Sequence, residues 1–364
     1  MPKVQINKPL ENILLVWDRI GDYHAARFLE LEKTVGTGNI FISDLGKADS
    51  IYKWNNPLFD NPHYLPLSDQ PIEKRAFLTR IQTFISIVKK EEIKIVGLAG
   101  YGRIEYLLIL VLSKFLRFKV ILFAESWYGD NKFINKVKEL FLKTFCKGFL
   151  VSGQKAKDHF SKKLGIPDHK IEIGYSVVDN QHFGSKIEVE KENILLCVAR
   201  FSKEKNLILL IKAFKTSTLS KTWTLKIVGG GPLKQTLQHE IGDNPRIQLS
   251  DWLSYSALPF LYAHARFFIL PSTFEPWGLV ANEAMAAGLP ISLSTQCGCV
   301  PDLLSESSGF TFDGEKETEI TSVLNKIATL DKTEMESLGA KNKGKVDAYS
   351  TRVWAKNFLS LAFS

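Results

Sequence analysis

The sequence predicts an α/β protein built as two successive parallel-sheet domains, and three observations carry that expectation. Short apolar, β-branched runs alternate with longer amphipathic stretches through both halves of the chain. The alternation is interrupted once, by a polar stretch after Tyr175. A length of 364 residues with 45% hydrophobic and 24% charged residues suits two cores of roughly 150 to 200 residues each.

Taken in order, Ile13 to Trp17, Ile40 to Ser43, Ile93 to Leu98 and Val120 to Ala124 read as strands. Between them, Arg75 to Lys90 and Lys132 to Lys147 place apolar residues at three- and four-residue spacing, the helical period. Strand and helix in alternation imply a parallel sheet with helices on both faces. The polar stretch Ser176 to Glu192 reads as the linker, which sets the domains at 1–180 and 190–349. Beyond it follow Ile194 to Val198 (strand), Asn206 to Thr216 (helix), Trp223 to Val228 (strand), a Gly-Gly-Gly-Pro turn and Leu233 to Ile241 (helix). Phe267 to Leu270 and Ile291 to Ser294 supply further strands, and Thr351 to Phe363 has helical spacing again.

Composition excludes several classes. The four cysteines, Cys146, Cys197, Cys297 and Cys299, are too few for a disulfide scaffold and form no Cys-x-x-Cys pair; Cys297 and Cys299 read as small packing residues. The longest apolar run, Leu107 to Leu112, is closely followed by Lys114, Arg117 and Lys119, so a bilayer-spanning helix of about 20 residues does not fit. The start of the chain lacks the layout of an export signal, and a cytoplasmic location is the expectation.

The net charge is +8, and up to Ser185 there are 27 Lys and Arg against 20 Asp and Glu, so the basic excess belongs to the N-terminal half. Such a surplus suits either a surface facing phosphates or anionic lipid, or a solvated basic surface. No recognisable module for nucleic acid accompanies it. In the Lys132 to Lys147 stretch, Lys132, Lys136, Lys138, Lys143 and Lys147 lie among Phe133, Ile134, Val137, Leu140, Phe141, Leu142 and Phe145. That is the composition of an interfacial helix on a membrane, unless the apolar residues face the domain core.

In open α/β sheets ligands bind beyond the carboxyl ends of the strands, where helix N-termini present unpaired N–H groups. Three loops of the second half carry suitable residues. In Val198 to Asn206, Arg200 and Lys205 could reach one anionic group together, the guanidinium as a fork and the ammonium as a point charge; the alternative is a pair of solvated cations. In Val228 to Leu233, Gly229, Gly230 and Gly231 allow close approach of a ligand or simply make a tight turn, and Leu233 and Lys234 break any dinucleotide fingerprint. The third loop, Pro271 to Pro290, has a helix starting near Gly278 and ending at Gly288, with Glu275 before it and Glu283 in its second turn. Free N–H groups at Gly278, Leu279 and Val280 would point at a ligand between the two carboxylates. Each glutamate has a plainer reading, as a charge near a helix N-terminus or a solvent-facing carboxylate.

Glu275, seven residues, then Glu283, framed by Pro271-Ser272 and by Ala284-Met285-Ala286-Ala287-Gly288-Leu289-Pro290, resembles the signature of the family-4 retaining glycosyltransferases, also called glycosyl transferases group 1. The Arg200 and Lys205 loop resembles that family's phosphate-binding segment and Gly229 to Gly231 its glycine segment; the resemblance covers roughly Ile194 to Phe312. It implies the GT-B fold, two Rossmann-like domains facing a central cleft, with the last helix packing back on the N-terminal domain. It also implies donor binding at Gly21, Gly230, Leu253, Gly278, Leu279, Val280 and Glu283. Arg200 and Lys205 would neutralise the leaving diphosphate, Glu275 would hold donor-sugar hydroxyls, Glu283 the ribose, and Leu253 would flank the base.

The activity so implied is transfer, with retention, from a nucleotide sugar, a UDP-sugar by family frequency, to a glycan or lipid-linked acceptor. No cofactor and no metal would be needed, and these loops hold no Asp-x-Asp pair. The two glutamates are not the acid and base of a glycoside hydrolase, whose carboxylates flank the scissile bond. In the N-terminal half, Asp18 to His24 follows the first strand where the family has a glycine-containing loop; Gly21 and His24 are its candidates. After Val120 to Ala124, where the family often carries a histidine, this chain has Glu125-Ser126-Trp127, which leaves His24 and Glu125 as acceptor-side candidates. The rival expectation is a catalytically silent GT-B partner or glycan-binding subunit.

Overall fold

The computed structural model describes residues 11–364 apart from 37, 47–56, 75, 130, 306 and 307. The start of the stretch read for an export signal, residues 1–10, and Arg75 at the head of one expected helix lie outside the described residues. The chain forms two compact units. One comprises Met1–Ser152, Ala156–Val177 and Thr351–Ser364, the other Gly153–Lys155 and Val178–Ser350.

In the N-terminal unit six parallel strands, β1 (Asn12–Trp17), β2 (Ile40–Asp44), β3 (Ile93–Ala99), β4 (Lys119–Ala124), β5 (Gly148–Val151) and β6 (Ile171–Ile173), lie in the order β2-β1-β3-β4-β5-β6. Helices cover both faces, so the central strands read as unbroken apolar runs: Ile13, Leu14, Leu15 and Val16 are all fully buried. Gly97 in β3 lets neighbours close in, because a Cβ there would sit 2.6 Å from Phe123 Cζ and 2.8 Å from Leu15 Cδ2. The C-terminal helix, Thr351–Phe363, belongs to this unit. Its Trp354 packs 6.5 Å from the Trp17 ring and 5.8 Å from Phe123.

Phe77–Lys90 shows the expected apolar spacing, and it hides a charge. Arg80 is buried, with its guanidinium on Glu105 Oε1 at 2.8 Å and on the carbonyls of Leu45, Pro71, Ile72 and Lys74 at 2.7 to 3.2 Å. A fork with five donors can satisfy itself in this way where an ammonium could not.

The second unit repeats the plan with β7 (Ile194–Val198), β8 (Thr224–Val228), β9 (Ile247–Ser250), β10 (Phe267–Leu270), β11 (Ile291–Ser294) and β12 (Gly309–Phe312), in the order β12-β11-β10-β7-β8-β9. All its pairings are parallel. The stretch read as a linker is more than a spacer. Asp179 accepts from the N–H groups of Gln181 and His182 and caps a short helix, Asn180–Phe183, whose Phe183 is buried edge-on against Tyr262. Among the described residues no helix is long and apolar enough to cross a membrane.

Candidate functional site

The sheet order of the second unit opens a site before any side chain is considered. From β7 the chain runs on to β8 on one side, and from β10 to β11 on the other. Loops leaving the carboxyl ends of two adjacent strands in opposite directions create the crevice where open α/β sheets bind ligands.

The loop after β7 is pinned to the loop after β10. Asn206 adopts left-handed φ of 54° and donates from Nδ2 to the carbonyls of Gly314 at 2.5 Å and Pro271 at 3.3 Å. The Thr273 N–H donates to the Glu204 carbonyl at 2.9 Å. Between these anchors the Lys205 ammonium is bonded to the Glu275 carboxylate, with the two side chains only 15% and 12% exposed. Arg200, on the same loop, is 46% exposed and its Nη2 lies 3.9 Å from Glu204 Oε1.

The glycine turn after β8 leans on that same loop. The Phe201 N–H donates to the Gly230 carbonyl at 2.8 Å, and the Leu233 N–H to the Phe201 carbonyl at 3.0 Å. A Cβ at Gly229 would fall 1.9 Å from the Ala199 carbonyl oxygen, so only glycine permits this approach. At Gly230 a Cβ would come 2.8 Å from Nε1 of Trp252, a half-exposed ring just past β9 that lies over the turn. Leu253 follows it and is also exposed.

Past β10, the backbone around Glu275 is held as a short parallel bridge to Cys297: the Gly298 N–H donates to the Glu275 carbonyl at 2.9 Å, and the Cys299 N–H to the Trp277 carbonyl at 3.3 Å. Gly278 takes φ of 108° and starts the helix Leu279–Ala286, whose first amides have no intrahelical acceptor. The helix is thus one or two residues shorter at each end than the sequence reading. Trp277 fixes the turn by donating from Nε1 to Asn282 Oδ1 at 2.8 Å.

Glu283 stands on this helix, fully buried, and Oε2 accepts from the Tyr262 hydroxyl at 2.6 Å. It is therefore neither solvent-facing nor open in the way Arg200 is. Cys297 and Cys299 are free and buried beside Glu275, and burial pushes both thiols far up from their usual range.

The structure thus gathers Arg200, Lys205, Gly230, Glu275 and Gly278 on loops bonded to one another, with Leu279 and Val280 in the first turn of the helix that follows and Glu283 further along it, while Leu253 comes directly after the Trp252 ring at the glycine turn. Sequence reading gave no role to Tyr262 or Trp252. Tyr262 is one aromatic in an ordinary amphipathic helix, Leu258–His264, and nothing local marks it. Trp252 had a visible signal, a large aromatic directly after a strand end.

The candidates of the N-terminal unit sit at the ends of β1 and β4. Gly21 precedes the helix Asp22–Val35, and its N–H donates to His24 Nδ1 at 3.1 Å, so His24 helps to cap that helix. The His24 ring packs 4.9 Å from Trp17, and lost hydration together with the Arg27 guanidinium pulls its imidazole down to about 3. Glu125 accepts from the Ser176 hydroxyl. Arg27, unremarked in the sequence, is buried nearby, donating to the Val177 carbonyl at 3.0 Å and lying over the Tyr175 ring.

Residues 178–344 match the model of the family described as glycosyl transferases group 1. An uncharacterized glycosyltransferase of Methanocaldococcus jannaschii is 25% identical over 196 residues, 50% of this chain and 50% of that protein. The O-antigen chain mannosyltransferase RfbU of Salmonella typhimurium is 30% identical over 176 residues, 46% of this chain and 49% of that protein. The chain spans about half the length of the curated relatives it matches. Among solved structures, a glycosyltransferase from Rickettsia africae superposes with a TM-score of 0.77 at 14% identity over 97% of both chains. The Anabaena protein HepE, solved with UDP and glucose, does so with a TM-score of 0.75 at 15% identity, over 96% of this chain and 98% of that one. The fold is that of the GT-B glycosyltransferases, and residues 178–344 carry the match to the glycosyl transferases group 1.

Proposed function

We propose that the chain is a retaining glycosyltransferase that moves a sugar from a nucleotide diphosphate, a UDP-sugar, to a glycan or lipid-linked acceptor in cell-surface polysaccharide or glycolipid synthesis. The observation that carries this reading is the crevice between β7 and β10. There an exposed arginine, a lysine–glutamate pair and the first amides of a helix lie on loops tied to each other. Support also comes from relatives named as an O-antigen mannosyltransferase and a sulfoquinovosyl transferase, and from a similar fold solved with UDP.

In this reading the diphosphate lies across the Gly278 end of the helix, where the amides of Leu279 and Val280 and the positive end of the dipole favour an anion. Arg200 reaches it directly. Lys205 exchanges Glu275 for phosphate oxygen, and the released Glu275 accepts from donor-sugar hydroxyls. Glu283, oriented by Tyr262, takes the ribose hydroxyls; the open backbone at Gly230 admits the donor, and Trp252 and Leu253 flank the base.

The bond between the anomeric carbon and the diphosphate oxygen breaks, and the acceptor oxygen bonds to the same face. The acceptor proton passes to the leaving phosphate. Arg200 and Lys205 act most strongly as negative charge builds on the departing oxygen, and the reading calls on no metal. His24 and Glu125 are the acceptor-side candidates in this proposal.

The test is a panel of UDP- and GDP-sugars followed by thermal shift and by NMR of released nucleotide and product. Stabilisation by one nucleotide sugar, and a product of unchanged anomeric configuration, are expected. No stabilisation and no turnover with any donor would leave a silent GT-B partner as the better reading.

A further inference from the structure

The helix Lys132–Phe145 of the N-terminal unit is built to leave apolar side chains in water. Asn131 caps it, its Oδ1 accepting from the Ile134 N–H at 3.0 Å. Asn135 and Leu142 turn inward and are buried, and Phe141 and Phe145 pack against the domain core with their rings 4.8 Å apart. The core therefore claims only part of the apolar content. Phe133 is 79%, Leu140 71% and Val137 55% exposed.

These three positions fall within one narrow sector at 100° per residue, with Ile134, half exposed, further round on one side. Lys132, Lys136 and Lys143 form a row along one border of that sector, and Lys138 lies beyond the other, its ammonium 5.5 Å from the centre of the Tyr101 ring. The helix has one acidic residue, Glu139, already held by Lys136 at 2.8 Å and Lys143 at 2.6 Å. An apolar strip bordered by cations, on the half of the chain that carries most of its positive charge, is complementary to a surface both oily and anionic.

We propose that this helix docks the protein on an anionic lipid bilayer. It lies in the plane of the headgroups, with Phe133, Val137 and Leu140 pushed into the acyl boundary and the lysine row against lipid phosphates. The proposal does not depend on the nucleotide-sugar reading. It does give that reading a route to a lipid-linked acceptor.

Co-sedimentation of the full chain with vesicles of phosphatidylglycerol and phosphatidylcholine, compared with vesicles of phosphatidylcholine alone, tests it. Binding is expected to the anionic vesicles only, and to fall steeply from ~50 mM to ~0.5 M salt as surface charge is screened. Phe133→Ser with Leu140→Ser should lower the partition coefficient about tenfold or more, and Lys132→Ala with Lys136→Ala by about the same factor. All these side chains are largely exposed, so the melting temperature should not change, which separates lost docking from lost folding.

Equal binding to both vesicle types, no binding at low salt, or full binding by both variants would overturn the proposal. So would a dimer in solution that Phe133→Ser with Leu140→Ser dissociates, since the strip would then be a contact between two copies of the chain. None of these readouts uses a donor, so failure of docking and failure of the glycosyltransferase reading are distinguishable.

Discussion

The hydroxyl of Tyr262 donates to Oε2 of Glu283 at 2.6 Å, with both side chains fully buried. A buried carboxylate needs such a donor, and losing one costs about 1–3 kcal/mol. The Tyr262 ring is itself held by Phe183 edge-on and by Phe268, so the hydroxyl has little freedom to look elsewhere. Tyr262→Phe should therefore raise the donor KM about tenfold with little change in kcat. Because Glu283 is assigned to the ribose, the variant should also narrow the preference for UDP over 2′-deoxy-UDP in calorimetry. If both nucleotides weaken equally, Tyr262 is only a packing residue. Glu283→Ala should weaken donor binding more severely.

Arg200 and Lys205 should behave alike in catalysis and differently in stability. Either alanine variant should lower kcat about 10²-fold or more, because charge on the leaving diphosphate is greatest in the transition state. Arg200 is nearly half exposed, so its loss should leave urea unfolding within about 0.5 kcal/mol of wild type. Lys205→Ala strands Glu275 in a mostly buried place and should cost about 1–3 kcal/mol. Near wild-type turnover in both would contradict the site assignment.

Transfer should persist in excess EDTA, since Arg200, Lys205 and the amides past Gly278 are assigned the work of a metal. Activity lost on chelation and restored by Mg²⁺ or Mn²⁺ would refute that assignment.

His24 should make the protein sensitive to acid. Its imidazole titrates near 3 in the folded chain against 6.5 unfolded, so below pH 6.5 the unfolded chain takes a proton that the folded one refuses. The stabilising contribution is complete above about pH 6.5 and is lost as pH falls toward about 3. Glutamine serves well at this third helical position, so His24→Gln should keep the cap and flatten the pH dependence of the urea midpoint between about 6 and 4. An unchanged slope would assign the acid sensitivity to other groups.

The parts of this fold legible in the sequence were those with a local period or a local break. Ile13 to Trp17 and Ile194 to Val198 are strands within a residue of where their apolar runs place them, and Thr351–Phe363 is a helix over the range its spacing gives. β6 is three residues long and β12 begins with a glycine, so neither offers a pattern, and each is a strand because a neighbour supplies the other half of its ladder. The helix Ile104–Leu116 is apolar on nearly every face, which blurs the period. The site divides in the same way. Arg200, Lys205 and Glu275 stand in loops where charge has few structural uses, so they could be read directly. The Lys205–Glu275 pair spans 70 residues and Tyr262–Glu283 joins two helices, and both are products of the sheet order that no local pattern contains.

The burial of all four cysteines has a practical consequence. The Cys197 thiol is pushed up to about 12 by loss of hydration, and Cys146, Cys297 and Cys299 are shifted the same way, so none offers a thiolate to a maleimide in the folded chain. The native sequence already serves as a silent background for site-directed labelling. A single Phe133→Cys would carry a polarity-sensitive fluorophore on the lysine-bordered helix, and its emission would show when that one face leaves water.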